Sequence, residues 1–180
     1  MTPLHSVATG REGSLFAPTL AARREEILDK VRGKRVLAIG AAGSIGSSTS
    51  QLLASYDPAA LHVIDQNENA LAEYVRQFWS METPPKIADL RLLPLDYGSE
   101  AMRALLASEP PYDIVLNFAA IKHVRSEKDT FSLLQMFDTN IVKQARLMRW
   151  LAEFTPEAMT ENVVPPSVEV SRRLAVPSHR

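Results

Sequence analysis

Two kinds of segment alternate along the chain. Short, nearly continuous apolar runs are typical of parallel strands buried on both faces. Four such runs predict strands at residues 35–39, 61–64, 90–95 and 113–118. Longer segments between and after them repeat apolar residues at helical spacing and predict helices over 44–56, 69–81, 100–107 and 131–154. Strand and helix therefore alternate four times, with short connections.

This alternation favours an α/β architecture. Strand–helix–strand units with short connections build right-handed βαβ crossovers, so we predict a Rossmann-type doubly wound parallel sheet of about four strands. The predicted strand order is 3-2-1-4. In such a sheet, ligands bind beyond the carboxyl ends of the strands, near the switch point between strands 1 and 4.

The ends of the chain lack this regularity. Residues 1–18 contain scattered proline and glycine, so we expect a loose N-terminal lead-in. An amphipathic helix is predicted over 19–31, at the start of one domain covering 19–154. Residues 155–180 contain four prolines, and we expect a disordered or loosely packed tail.

The loop after the first predicted strand has the composition of a nucleotide cradle. Its sequence, GAAGSIGS at 40–47, spaces Gly40, Gly43 and Gly46 three residues apart. The first allows a tight turn, the second a close approach to a diphosphate, and the third a close helix–sheet contact. The helix predicted from Ser44 would point its free N–H groups and positive dipole end at phosphates.

Polar residues follow the other predicted strands as well. Asp65 ends the second strand, about twenty residues beyond the glycines, where a ribose-binding carboxylate is expected. Asp96 follows the third strand and 117–120 the fourth, so four loops would meet at one crevice. A ligand-free glycine turn is the alternative interpretation, and a P-loop is disfavoured because no Gly-Lys-Ser/Thr follows.

Composition narrows the function classes. The formal net charge of −1 argues against an extended nucleic-acid surface. The absence of cysteine removes disulfides and thiolate metal sites, and no His/Asp/Glu spacing resembles a metal site. No apolar run approaches the roughly twenty residues of a membrane span, and the first residues do not resemble a secretion signal. We therefore expect a cytoplasmic protein.

Five segments resemble the extended short-chain dehydrogenase/reductase superfamily. They are GAAGSIGS at 40–47, VIDQNENAL at 63–71, PLDY at 94–97, NFAAIKHV at 117–124 and DTNIVKQARLMRWL at 138–151. Within this superfamily the chain is similar to the CapD-like nucleotide-sugar 4,6-dehydratases of bacterial polysaccharide biosynthesis. The resemblance covers about residues 33–154, and its most specific segment is Ala-Ala-x-Lys-His-Val.

The resemblance implies a site for NAD, because the Asp65 carboxylate would repel a 2′-phosphate. NADP is the alternative, with Arg76 as the cation for such a phosphate. It assigns the cofactor to Gly40, Gly43, Ser44, Ile45, Gly46, Asp65, Asp96, Tyr97, Asn117, Ala119 and Ala120. It assigns a nucleotide sugar, such as a UDP-N-acetylhexosamine, to Lys122 and His123. Asn140 resembles the helix asparagine that braces the active site in this superfamily. Structural alternatives remain for Asp96 as a turn cap, and for Lys122, His123 and Asn140 as residues without a ligand.

The catalytic segments of the family are missing from the sequence. No tyrosine has a lysine four residues later, and no Thr-Asp-Lys occurs. We therefore expect the cofactor-binding part of a dehydratase or epimerase, catalytically incomplete as given. The alternatives are a non-catalytic dinucleotide-binding module or a short-chain reductase for another substrate. The unpaired outer edge of the fourth strand predicts self-association.

Overall fold

The computed structural model describes residues 16–121 and 129–161, with side chains up to residue 158. The strands are β1 (Arg35–Ile39), β2 (Ala60–Ile64), β3 (Asp89–Leu93) and β4 (Ile114–Asn117). The helices are α1 (Ala17–Ala22), α2 (Arg24–Val31), α3 (Ser44–Ala54), α4 (Glu68–Trp79), α5 (Glu100–Ser108), α6 (Thr130–Phe137), α7 (Gln144–Phe154) and α8 (Pro156–Glu161). A π-helical turn, Asp138–Lys143, joins α6 to α7.

The four strands form one parallel sheet in the order β3-β2-β1-β4, which confirms the predicted topology. The register aligns the strand ends: Ile39 pairs with Ile64 on one side and with Asn117 on the other. Ile64 pairs in turn with Leu93. All four following loops therefore leave the sheet from one level edge.

The sheet is buried on both faces because side chains alternate along each strand. On β1, Val36 and Ala38 join a core cluster with residues of α3 and α4, whereas Leu37 and Ile39 join a second cluster with residues of α5 and α7. Helices thus cover both faces, which is why the strands appear in the sequence as continuous apolar runs.

Two predicted helices differ from the structure. The helix predicted over 19–31 is interrupted at Arg23, whose backbone (φ −104°, ψ 12°) is not helical. No residue of α1 is buried, so no core contact aligns it with α2. The helix predicted over 131–154 contains the π-helical turn, which divides it into α6 and α7.

The start of the predicted tail contains a helix, α8. Its Ala158 is completely buried in the cluster that contains Leu147 and Trp150. Thr155 supports this turn through a hydrogen bond from its hydroxyl to the Leu151 carbonyl oxygen, at 3.1 Å. Predictions for 1–15 and 162–180 fall outside the described residues and stay predictions.

Among the described residues, no helix combines the length and apolar character needed to cross a membrane. In the same part of the chain, β4 pairs only with β1, and its outer edge has no strand beside it.

Candidate functional site

A cavity of about 200 Å³ lies at the carboxyl edge of the sheet, between the loops that follow the strands. The site lies where the strand order predicts it, beside the ends of β1 and β4. Seven of the predicted cofactor residues line this cavity: Gly40, Gly43, Asp65, Asp96, Tyr97, Ala119 and Ala120. Phe118, within the predicted loop 117–120, lines the cavity too. The sequence did not indicate three further lining residues: Gln66, Thr139 and Lys143.

Two glycines of the first loop are required by close packing. Gly40 has a φ of +66°, and a Cβ on it would lie 2.5 Å from the backbone nitrogen of Ala119. A Cβ on Gly46 would lie 2.6 Å from the Cα of Ala41. Gly40 thus lets the loops after β1 and β4 touch, and Gly46 lets α3 pack directly on its own loop.

Gly43 differs from these two because the packing around it does not require a glycine. The nearest atom to a Cβ there would be the Gly40 carbonyl oxygen, 3.5 Å away, an ordinary contact. Gly43 is the N-cap of α3, and no side chain caps this helix end. A bare backbone therefore faces the cavity beside an uncapped helix N-terminus, an arrangement suited to anionic groups.

The first turn of α3 contains Ser44, Ile45 and Gly46, none of which lines the cavity. The Ile45 side chain is 74% exposed and does not contribute to the core. For these residues, the backbone N–H groups are the chemistry available at the helix end.

Asp65 braces two backbone segments at the cavity wall. Its Oδ2 accepts a hydrogen bond from Ala42 N at 3.2 Å, and its Oδ1 accepts one from Asn67 N at 2.9 Å. A carboxylate has about four acceptor positions, so two remain. Asp65 thus fixes the glycine loop against the start of α4 and keeps capacity for hydroxyl donors.

Asp96 is held as an anion in the loop after β3. Its Oδ1 accepts a hydrogen bond from Gly98 N at 2.9 Å, and its Oδ2 forms an ion pair with Lys143. Burial alone raises the pKa of this carboxyl, but the hydrogen bonds from Lys143 and Gly98 outweigh it and hold the pKa below the ordinary value. Asp96 therefore shapes this turn, as the turn-cap alternative predicts, and it also lines the cavity.

Tyr97 contributes its ring to the cavity wall and its hydroxyl to the fold. The side chain is buried, and the hydroxyl donates a hydrogen bond to the carbonyl oxygen of Thr139 in the π-helical turn. Burial, followed by the negative charges of Asp96 and Asp138, raises the pKa of Tyr97 to about 12. Its phenol therefore stays protonated at neutral pH.

Two asparagines shape the loop after β4. Asn117 is buried and does not line the cavity; its Oδ1 accepts from Ala119 N at 2.9 Å, and its Nδ2 donates to Gln144. Asn140 holds the backbone of Ile121 at both groups, accepting from its N at 2.8 Å and donating to its O at 2.7 Å. Lys122 and His123 lie outside the described residues.

The family model described as "polysaccharide biosynthesis protein" matches residues 36–164, which is more than half of the chain. The chain belongs to this family. The family is the CapD-like part of the extended short-chain dehydrogenase/reductase superfamily, so the resemblance seen in the sequence is confirmed. A comparison with curated proteins gives no match.

Solved structures share the fold of this CapD-like chain. A short-chain dehydrogenase from Pseudomonas syringae is 21% identical, with a TM-score of 0.59, over 79% of this chain and 60% of that one. A short-chain dehydrogenase from Escherichia coli CFT073, complexed with NADPH, is 20% identical, with a TM-score of 0.55, over 71% and 55%. An epimerase from Methanothermobacter thermautotrophicus is 18% identical, with a TM-score of 0.56, over 71% and 35%. This CapD-like chain therefore spans only part of the length of each of these relatives.

The three unpredicted cavity residues of the CapD-like site differ in how far the sequence could indicate them. Gln66 directly follows Asp65, and this position gave an available signal. Thr139 and Lys143 lie in the π-helical turn, within what the sequence presents as one regular helix. A π-helical turn changes which side chains face inward, so no helical pattern could have placed them.

A second polar cluster lies toward the amino ends of the strands, away from the cavity. His62, an isolated histidine in the sequence, lies beside Asp89 and Glu109, whose carboxylates could serve as metal ligands. Each carboxylate already pairs with two arginines. Glu109 lies 3.0 Å from Arg35 and 2.8 Å from Arg91. Asp89 lies 3.4 Å from Arg35 and 3.0 Å from Arg91. We interpret this cluster as an ion-pair network that joins β1, β2 and β3.

Proposed function

We propose that this CapD-like domain binds a nicotinamide dinucleotide at the carboxyl edge of its sheet. In this proposal it is the cofactor-binding part of a nucleotide-sugar 4,6-dehydratase or epimerase. The observation that carries the proposal is the combination, in one cavity, of a bare glycine backbone, an uncapped helix N-terminus and the Asp65 carboxylate. Family membership supports it, as does the NADPH complex of the similar dehydrogenase.

The residues of the cavity fit such a group. The loop around Gly43 and the N-terminus of α3 would hold the diphosphate, because both offer N–H groups without side chains in the way. The two remaining acceptor positions of Asp65 suit the two hydroxyls of a ribose. Asp96 and Tyr97 would flank the adenine base of the dinucleotide. When bound, the dinucleotide would supply hydride acceptance and return.

Two local charges favour NAD over NADP in this proposal. A 2′-phosphate beside Asp65 would meet a carboxylate already fixed by two backbone N–H groups. Arg76, the cation that would have to neutralise this phosphate, pairs instead with Glu73 on the exposed face of α4, at 2.8 Å. The NADP alternative would require Arg76 to leave this partner.

Catalysis and substrate belong to the proposal as well. We propose a nucleotide sugar such as a UDP-N-acetylhexosamine, held in part by Lys122 and His123 next to the Ile121 backbone that Asn140 fixes. Among the described residues, Tyr97 is the tyrosine of the cavity, and its raised pKa and occupied hydroxyl do not suit acid–base chemistry. We therefore propose binding without turnover by the chain as given. As a separate proposal, we place the protein in the cytoplasm.

Calorimetric titration tests the cofactor proposal. NAD should bind the parent chain more tightly than NADP does. Replacing Asp65 by Asn should weaken NAD binding about ten-fold or more, since a charged hydrogen-bond acceptor contributes roughly 1.5–3 kcal/mol. The same change should reduce the preference for NAD over NADP, because the charge that repels the 2′-phosphate is gone.

The exposed Asp29 of α2 provides a matched control, because it lies outside the cavity. Asp29→Asn should leave both affinities unchanged. Absence of measurable binding of either dinucleotide to the parent would overturn the proposal. Equal NAD affinity in the parent and in Asp65→Asn would remove Asp65 from the site.

A further inference from the structure

Lys143 reaches the cavity from the end of the π-helical turn. Its side chain is only 15% exposed and forms the ion pair with Asp96. The aliphatic stem passes over Gly98, where an added Cβ would lie 2.4 Å from Lys143 Cγ and 2.8 Å from its Cβ. These atoms are near the backbone of Lys143 and cannot move aside easily, so the lysine stem and the bare glycine form one fit.

Further contacts hold this part of the helix to the loop after β3. Arg146 donates from Nη1 to the Gly98 carbonyl oxygen at 2.6 Å. Tyr97 donates to the Thr139 carbonyl oxygen. The loop is therefore attached to the helix on both sides of the Asp96–Lys143 pair, and the position of the ammonium group is fixed before any ligand arrives.

The two charged groups retain unused hydrogen-bonding capacity at the cavity. The Lys143 ammonium has three donors, of which Asp96 takes one; Asp138 is 3.8 Å away, beyond hydrogen-bond distance. Asp96 has about four acceptor positions, of which Gly98 and Lys143 use two. Both residues line the cavity. A fixed donor and a fixed acceptor are thus presented side by side to a ligand.

We infer that Lys143 is a specificity-determining residue that, together with Asp96, recognises the 6-aminopurine edge of the bound nucleotide. This inference rests on the proposed function. The family resemblance already implies that the amino group of the base donates to the Asp96 carboxylate. The new assignment is that the neighbouring ring nitrogen N1 accepts from the Lys143 ammonium. Lys143 also keeps Asp96 charged, so the acceptor is present when the base arrives.

The arrangement discriminates against a 6-oxopurine. Hypoxanthine carries an acceptor at position 6 and an N–H donor at N1, the reverse of adenine. Its carbonyl oxygen would face the carboxylate, and its N–H would face the ammonium. The dinucleotide is otherwise identical, so a difference in affinity between the two bases reports on this edge alone. A well-made pair of base contacts discriminates by about ten-fold or more.

The test compares NAD with nicotinamide hypoxanthine dinucleotide by calorimetry on the full chain. The parent should prefer NAD by about ten-fold or more. Lys143→Met keeps the stem over Gly98 but removes the donor, so NAD should bind more weakly. The hypoxanthine analogue should bind as well as before or better, and the preference should shrink by about five-fold or more. Lys143→Leu, which also lacks a donor, should give the same loss and serves if Lys143→Met does not fold.

Arg149→Met is the matched control, because Arg149 is an exposed cation on α7 and does not line the cavity. It should leave the ratio of the two affinities unchanged. If Lys143→Met weakened both dinucleotides equally, Lys143 would only hold the loop; the inference would be overturned while NAD binding stood. If the parent bound neither dinucleotide, the proposed function itself would fail.

Discussion

At the scale of single residues, two glycines with positive φ separate the cost of backbone strain from the cost of close packing. Gly40 and Gly33 both have positive φ values, +66° and +70°. Only Gly40 has neighbours in contact with an added Cβ; at Gly33 no atom lies within 4 Å. The two positions therefore form a natural pair for measuring what the contact between the loops after β1 and β4 requires.

We predict that Gly40→Ala destabilises the fold more than Gly33→Ala does. Both substitutions introduce the left-handed strain of about 1–2 kcal/mol. At Gly40 the Cβ also overlaps the Ala119 backbone, which adds about 1–3 kcal/mol. Urea unfolding of the two variants measures the difference. Equal losses of unfolding free energy in the two variants would show that the loops after β1 and β4 can move apart freely, which would contradict the prediction.

A second residue-scale prediction concerns His62, which is completely buried in β2. Its Nδ1 lies 2.7 Å from the Tyr112 hydroxyl, and its Nε2 lies 3.0 Å from Asp89. Burial lowers the pKa of His62, and this outweighs the neighbouring Asp89, which raises it. The unfolded chain therefore binds a proton more readily than the folded one does.

The free energy of unfolding should consequently fall as the pH drops below about 6.5, the value for an unperturbed histidine, and the full contribution should be present above it. Asp89, whose pKa is lowered by its histidine and arginine partners against the effect of burial, should add a further loss in more acidic solution. Urea unfolding between pH 5 and pH 8 should show this slope in the parent, and His62→Gln should flatten it. An unchanged slope in His62→Gln would contradict the assignment.

At the scale of elements, the sequence predicts what depends on neighbours along the chain. The strands, the glycine loop and Asp65 follow from local apolar runs and fixed spacing, and the structure has all of them in the expected elements. Lys143 could not be predicted, because a π-helical turn and a missing side chain at Gly98 bring it to the cavity. The His62 cluster depends on the register of three strands, and α8 depends on a core contact made by Ala158.

Helix α6 and the π-helical turn carry exposed apolar side chains. Phe131, Leu134, Phe137 and Ile141 are each more than half exposed. Exposed apolar side chains in this number are typical of an interaction surface, so we predict that they take part in the self-association expected from the open edge of β4. Leu134→Lys should therefore weaken self-association, whereas Gln135→Lys, an exposed neighbour on the same helix, should have less effect.

Sedimentation velocity over a range of protein concentrations measures this. The parent should show a mass above that of one chain at high concentration. A parent that stays monomeric throughout, or two variants with identical behaviour, would contradict the prediction.

At the scale of the whole molecule, the level ends of four parallel strands bring four loops to one edge. The first loop supplies backbone and a helix end, the second Asp65, the third Asp96, and the fourth Ala119 and Ala120. The π-helical turn completes the cavity from the side of α7. The same sheet holds its ion-pair network toward the opposite edge, so the groups that join the strands are separate from those that face a ligand.

The most direct test of this account is a crystal structure of the chain grown with NAD. We expect the diphosphate against Gly43 and the N-terminus of α3, with a ribose at Asp65 and the base at Asp96 and Lys143. A dinucleotide bound elsewhere on the molecule, or a cavity left without NAD at saturating concentration, would contradict it.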